Sequence, residues 1–399
     1  MPEILSKDDR RYEEDSKRYL EALHHEGAIW EDAWFEQEGK RLLREMVPDD
    51  LRDEREGCRF LLVKNPTPNA FAIYSGDIFF HTGLISRFTH PDQIRFVAAH
   101  ELSHWRNRDA LYFAQSLKKK TIAAQLIDLA VTPVGAAFGL GALAELSLNV
   151  LHVSSVTGFS RDQESRSDQE AVNAMLASPF DAERSTETFL IFMAESEKFD
   201  QGAQLSFLLS HPSNERRLAD VKAVLEKQSI TPSKEVSLDE AFVRDTRHIR
   251  IENVLLNIRH GFYYNAVDDA KILLRIDPED LDALTLKGDA YREMTSNFER
   301  VKDQISQEWW SEQFKDMDED AVIEFWREQS DVAYEAALVA DPSFAKALRG
   351  QGLLYADWSS APEHRQKAVR CLKAYLNSVT GAPDRRFIDF KIRKMEEDK

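Results

Sequence analysis

The stretch Val97-Ala98-Ala99-His100-Glu101-Leu102-Ser103-His104-Trp105-Arg106-Asn107-Arg108-Asp109 decides how this chain is read. Two histidines four residues apart sit in a run of helical period that starts near Asp92, and a glutamate follows the first. Positions i and i+4 of a helix share one face, about one turn apart. Both imidazoles can therefore reach one Zn²⁺, whose Zn–N distance is about 2.0–2.1 Å. Glu101 stands beside them, placed to take a proton from a metal-activated water. A catalytic zinc needs a third protein ligand and one open position.

A second helical segment, FSRDQESRSDQEAVNAML from Phe159, supplies a candidate for that ligand. Glu164 and Asp168 again stand at i and i+4. Glu164 can bind the metal, and Asp168 can accept a hydrogen bond from the outer nitrogen of a ligand histidine. Read alone, the segment is also compatible with a solvated charged helix. Upstream, Arg59–Lys64, Asn69–Tyr74 and Asp77–His81 are short β-rich runs, punctuated by Asn65-Pro66-Thr67-Pro68 and Ser75-Gly76. They predict a small antiparallel sheet. Residues 5–46 carry Tyr12, Tyr19, Leu20, Leu23, Trp30, Trp34, Leu42 and Leu43 at three- and four-residue steps, and predict helix. The adjacent His24 and His25 point about 100° apart on such a helix, which disfavours a shared metal.

The ordered motifs resemble metallopeptidase family 48, the gluzincin family of HtpX and the CAAX prenyl protease. The matching pieces are NAFA (69–72), Gly76 before a strand, Thr82-Gly83-Leu84, the HELSH run, SRDQESRSD and HPSNERRL (211–218). The resemblance implies one zinc held by His100, His104 and Glu164. It implies Glu101 as general base and Asp168 behind the ligands. His211 would act on the tetrahedral intermediate or cap the resting metal, and Arg217 would orient its neighbours. Asn69, Ala70, Phe71 and Ala72 would form the edge strand along which an extended substrate adds. Three positions depart from the family pattern: Ser103 for a glycine, Asp109 where a histidine is common, and Ser167 for an alanine.

Beyond a polar stretch the chain repeats itself. Asp277-Pro278 is followed by Ala283, Leu284, Gly288 and Tyr291, and Asp341-Pro342 by Ala347, Leu348, Gly352 and Tyr355. This resembles the tetratricopeptide repeat, with an insertion around Trp309–Trp310. The expected fold class is mainly α, with a gluzincin domain followed by a helical repeat domain. The expected domains are 1–228 (metalloprotease, with a helical extension over about 1–56), 229–245 (linker) and 246–399 (tetratricopeptide-like repeats).

Composition limits the alternatives. With 52 basic and 70 acidic residues the net charge is −18, which argues against a general nucleic-acid binder. Cys58 and Cys371 cannot supply a disulfide framework or a thiolate metal site. The first residues lack the apolar core of a secretory signal, so a cytoplasmic chain is expected if Met1 is the true start, and a periplasmic or peripheral membrane one if it is not. Residues 121–156 hold two apolar runs too short and interrupted for a clean span, read as buried or lid-forming helices with a peripheral membrane contact left open. The leading expectation is a zinc metalloendopeptidase of protein quality control, acting on unfolded or misfolded polypeptide, with a protein partner on the repeats. A latent or inactive protease serving as a peptide-binding scaffold, and a prenyl-protein protease, are the alternatives.

Overall fold

The computed structural model describes residues 7–47, 57–109, 159–199, 211, 214–358 and 361–397. The chain divides into two compact units, Met1–Ile249 and Arg250–Lys399. The apolar runs at 121–156 lie outside the described residues. Among the described residues no helix is long and apolar enough to cross a membrane.

The stretch expected to be continuously helical over 5–46 is two helices, α1 (Lys7–His25) and α2 (Ala33–Met46), separated by strand β1 (Ile29–Trp30). Gly27 takes φ 65°, a left-handed conformation that ends α1. The Ala28 N–H then closes back on the Leu23 carbonyl at 2.9 Å. Asp32 restarts the helix, its side chain accepting from the Phe35 N–H at 2.9 Å. A glycine stop and an aspartate start fit inside the period without disturbing its apolar spacing, so periodicity alone does not reveal the break.

Strands β2 (Arg59–Val63), β3 (Ala70–Ala72) and β4 (Asp77–His81) join β1 in the order β1-β2-β4-β3. β3 and β4 form the expected antiparallel pair. β2 and β4 instead run parallel, with Arg59 opposite Asp77 and Val63 opposite His81. The sheet is therefore mixed, not antiparallel. The two prolines between β2 and β3 explain this: they remove backbone donors and hold their predecessors extended, which prevents a tight hairpin. The chain crosses to the far edge, and β4 returns between β2 and β3. One sheet face buries Phe71, Ile73 and Phe79 against Tyr19 and Leu23 of α1.

Helix α3 (Thr82–Arg87) leads into α4 (Pro91–Arg106), which packs against β3 and β4. Pro91 sits at the first helical position, and the Gln93 side chain accepts from the backbone N–H groups of Thr89 at 2.8 Å and His90 at 3.2 Å. Helices α5 (Arg161–Leu176), α6 (Ser185–Lys198) and α7 (Asn214–Lys227) surround it: α5 and α6 pack on α4, and α7 on both. Residues 230–239 are coil, leading to α8 (Glu240–Asp245). This stretch is fastened within the first unit. Thr89 Oγ1 donates to the Ser237 carbonyl at 2.6 Å, and the Asp239 N–H donates to the Thr89 carbonyl at 2.8 Å.

From Arg247 onward the described residues are helical: α9 (Arg247–His260), α10 (Tyr263–Ile276), α11 (Leu281–Ser296), α12 (Phe298–Gln304), α13 (Gln307–Gln313), α14 (Glu319–Ala340), α15 (Ala345–Trp358), α16 (Pro362–Ser378) and α17 (Arg385–Glu397). The repeat pattern maps onto packed pairs, α10 with α11, α11 with α14 and α15 with α16. Asp277 and Asp341 terminate α10 and α14 just before their prolines. The insertion forms α12 and α13. Phe298, Trp310 and Phe314 close over the fully buried Trp326 with ring centroids 5.6–6.2 Å away. Cys58 and Cys371 are both buried.

Candidate metal centre

Local capping aims the two helices that carry the donors. Ser160 and Gln163 form a reciprocal cap at the start of α5. The buried face of α5 presents Glu164, Ser167 and Asp168, followed by Ala171, Val172 and Met175. That face meets α4, where His100, Glu101 and His104 are each no more than 3% exposed.

His100, His104, Glu164 and His211 converge so that one donor atom from each lies within 4.8 Å of the others. His100 Nε2 is 3.0 Å from His104 Nε2 and 3.2 Å from His211 Nδ1. The Glu164 carboxylate is 3.0 Å from His211 Nδ1, 3.4 Å from His104 Nε2 and 3.5 Å from His100 Nε2. A tetrahedral zinc with bonds of about 2.0–2.1 Å has ligand–ligand edges of about 3.3 Å. These separations fit.

The outer nitrogens strengthen that fit. His100 Nδ1 lies 2.9 Å from Asp168 Oδ1, and His104 Nδ1 lies 2.8 Å from Asp109 Oδ2. Carboxylates there favour Nδ1–H, which leaves Nε2 lone pairs facing one another. Two such lone pairs 3.0 Å apart repel unless a cation lies between them. Burial opposes charge on His104, but its bonds to Asp109 and Glu164 raise the imidazole to about 9. His100 is lowered to about 3 by burial and by neighbouring His104.

Arg217 supports the carboxylates. Its Nε and Nη2 each donate to Asp168 at 2.7 Å, Nη1 lies 2.9 Å from Glu164, and Nη1 also donates to the His211 carbonyl at 3.0 Å. Burial alone would raise Glu164 and Asp168. Neighbouring His211 and Arg217 outweigh it at Glu164 and Arg217 at Asp168, holding Glu164 well below the usual carboxylate range and Asp168 below it. Glu101 behaves oppositely. Burial pushes its carboxyl up, although His211, His104 and a hydrogen bond from the Ala72 backbone pull against the shift. Its Oε1 is 3.4 Å from His211 Nε2.

The structure thus brings together His100, Glu101, His104, Glu164, Asp168, His211 and Arg217. Ala70, Phe71 and Ala72 form β3, the outer strand of the sheet, with buried Asn69 just before it. The Ala72 contact joins that strand to Glu101. Sequence reasoning missed the contact between Asp109 and His104, and the role of Phe159, whose ring stacks on His104 at 4.0 Å. Phe159 opens the segment singled out for Glu164, and only its position at the helix entrance hinted at such a contact.

Two imidazoles from α4, a carboxylate from α5 and the imidazole of His211 ahead of α7 form a buried cluster beside a sheet edge, the donor set of a metallopeptidase-type centre. Residues 30–225 match the family model of Peptidase family M48. Metallopeptidases of this family use zinc, and the buried His/Glu cluster has the donors to hold it. The chain is 25% identical over 170 residues to the beta-barrel assembly-enhancing protease of Escherichia coli, covering 41% of this chain and 33% of that protein. It is 25% identical over 191 residues to the mitochondrial metalloendopeptidase OMA1 of Schizosaccharomyces pombe, covering 48% of this chain and 52% of that protein. The matched region thus spans between about a third and a half of these relatives.

Proposed function

We propose that the chain is a zinc-dependent metalloendopeptidase acting on unfolded or misfolded polypeptide in protein quality control. The observation that carries this reading is the set of four buried donors whose mutual separations fit one tetrahedral zinc. When bound, zinc supplies Lewis acidity that polarises a carbonyl and makes water a nucleophile near neutral pH.

The chain's own groups do the rest. Glu101, its carboxyl pushed up by burial, is suited to accept a proton from the attacking water and return it to the leaving amine. Its link to Ala72 sets it beside the strand where an extended substrate would add, so the scissile peptide would meet the base directly. Arg217 keeps Glu164 and Asp168 ionised and holds the His211 backbone.

His211 gives the site a resting form. A catalytic zinc keeps one position open, and Nδ1 of His211, 3.2 Å from His100 Nε2 and 3.0 Å from Glu164, would serve as a fourth donor to a bound metal. On this reading His211 withdraws for substrate to enter. The latent-scaffold reading draws on the same contact, with the helical repeats holding polypeptide as repeat modules do.

The test is zinc content and casein cleavage by the full chain, for wild type, Glu101→Gln and His211→Ala. The expected pattern is one zinc per chain in all three, loss of cleavage in Glu101→Gln, and faster cleavage in His211→Ala. Zinc-loaded wild type and His211→Ala that both cleave no better than Glu101→Gln would leave only the scaffold reading.

A further inference from the structure

The three residues that depart from the family pattern, Ser103, Asp109 and Ser167, meet in one network at the outer nitrogen of His104. Asn107 caps α4, its N–H bonded to the Ser103 carbonyl at 3.0 Å. Arg108 then takes φ 52°, a left-handed conformation that costs a non-glycine residue about 1 kcal/mol or more. This reversal brings Asp109 back against the helix the chain has just left. Asp109 is 1% exposed. Its Oδ2 faces His104 Nδ1 at 2.8 Å and pairs with the Arg166 guanidinium, and its Oδ1 accepts from Gln163 Nε2 at 3.0 Å. Ser167 Oγ lies 3.3 Å from the same His104 nitrogen and 3.1 Å from Ser103 Oγ. Ser103 and Asn107 both donate to Glu170 Oε2, at 2.7 and 3.0 Å.

An imidazole can carry its proton on either nitrogen, and only one tautomer offers Nε2 to a metal. We infer that Asp109 is the positioning carboxylate of His104: it holds the proton on Nδ1 and fixes the ring so that Nε2 faces the cluster, as Asp168 does for His100. Gln163 and Arg166, both from α5, hold Asp109 in place, so the packing of α4 on α5 sets the orientation of the second histidine. The backbone strain at Arg108 persists because Asn107 on one side and Asp109 on the other both require the reversal. This inference rests on the metal-site reading.

The experiment measures zinc affinity of the full chain by chelator competition, for wild type, Asp109→Asn and Asp109→Ala, together with the ¹H–¹⁵N spectrum of histidine-labelled, zinc-loaded protein. Loss of such an outer partner typically weakens metal binding about 10–100-fold. Asp109→Ala is expected in that range, with loss of the downfield Nδ1–H resonance of His104. Asp109→Asn keeps an acceptor oxygen, and is expected to keep the resonance with a smaller loss of affinity. Should Asp109→Ala fail to fold, Arg166→Gln carries the test. The Arg166 side chain is 39% exposed, so its removal spares the core while loosening Asp109. Several-fold weaker zinc binding is expected. Affinity within twofold of wild type in Asp109→Ala, or in Arg166→Gln where that is the variant measured, overturns the inference and leaves the metal site standing. A wild type that takes up no zinc at micromolar concentrations overturns the metal-site reading, and this inference with it.

Discussion

Glu187 offers a quantitative test of how the first unit is held together. Its carboxylate is fully buried in the first turn of α6 and gathers five donors. Oε2 accepts from Gln93 Nε2 at 2.6 Å and from the Ser237 N–H and Oγ at 3.1 and 2.7 Å. Oε1 accepts from Arg184 at 2.6 Å and Ser233 at 3.0 Å. In Glu187→Gln, one oxygen becomes an NH₂ group that cannot accept. Either amide orientation therefore opposes at least two donors. At about 1–1.5 kcal/mol per lost bond, with the charge assistance also gone, the cost is about 3 kcal/mol. For a unit of this size that lowers the melting temperature by about 6–12 °C.

The pH dependence has a definite sign. Burial would raise the Glu187 carboxyl, but its bonds with Ser237, Arg184 and Gln93 outweigh that and hold it below its usual value. Its stabilising contribution is thus complete above the unfolded pKa of about 4.3 and is lost as pH falls through the lower folded value. Calorimetry of the full chain should show a wide gap between wild type and Glu187→Gln at pH 7 that narrows below about pH 4. Hydrogen exchange should accelerate over residues 230–239. A shift under 2 °C at pH 7, or a gap independent of pH, would refute the assignment of Glu187 as the anchor of that segment.

Under the proposed function, Glu101→Gln should lower peptide cleavage by about 10²–10⁴-fold while zinc content stays at one per chain, because the proposed base is lost and the proposed donors are kept. Asp168→Ala should weaken zinc binding about 10–100-fold in chelator competition, since His100 loses its outer partner. In the second unit, a Cβ on Gly350 would fall 2.3 Å from Cε1 of the fully buried Tyr334. Gly350→Ala should destabilise that unit by about 1–3 kcal/mol in thermal melts, and an unchanged melting temperature would contradict the packing described.

Legibility in the sequence followed the range of the interaction. The helix carrying His100, Glu101 and His104 was readable because helical spacing alone places the two histidines on one face. Glu164 and Asp168 were readable for the same reason. The break between α1 and α2 was not, since a stop and a start fit within the periodicity. The mixed sheet was not readable either, because pairing order depends on where the crossover after β2 lands. Asp109 is the clearest case. It registered only as a departure from a pattern, because its contact with His104 requires the left-handed turn at Arg108 and the approach of Arg166 from another helix.

By itself the sequence determined the donor types, their helical registers and the helices that carry them, all set by bonds within a few residues. The tertiary structure decided which donors share a centre. It brought His211 to within 3.2 Å of His100 across 111 residues of chain, set Glu101 against the edge strand, and turned Asp109 beneath His104. Those contacts depend on how buried faces of distant helices pack, and burial couples residues with no fixed separation along the chain.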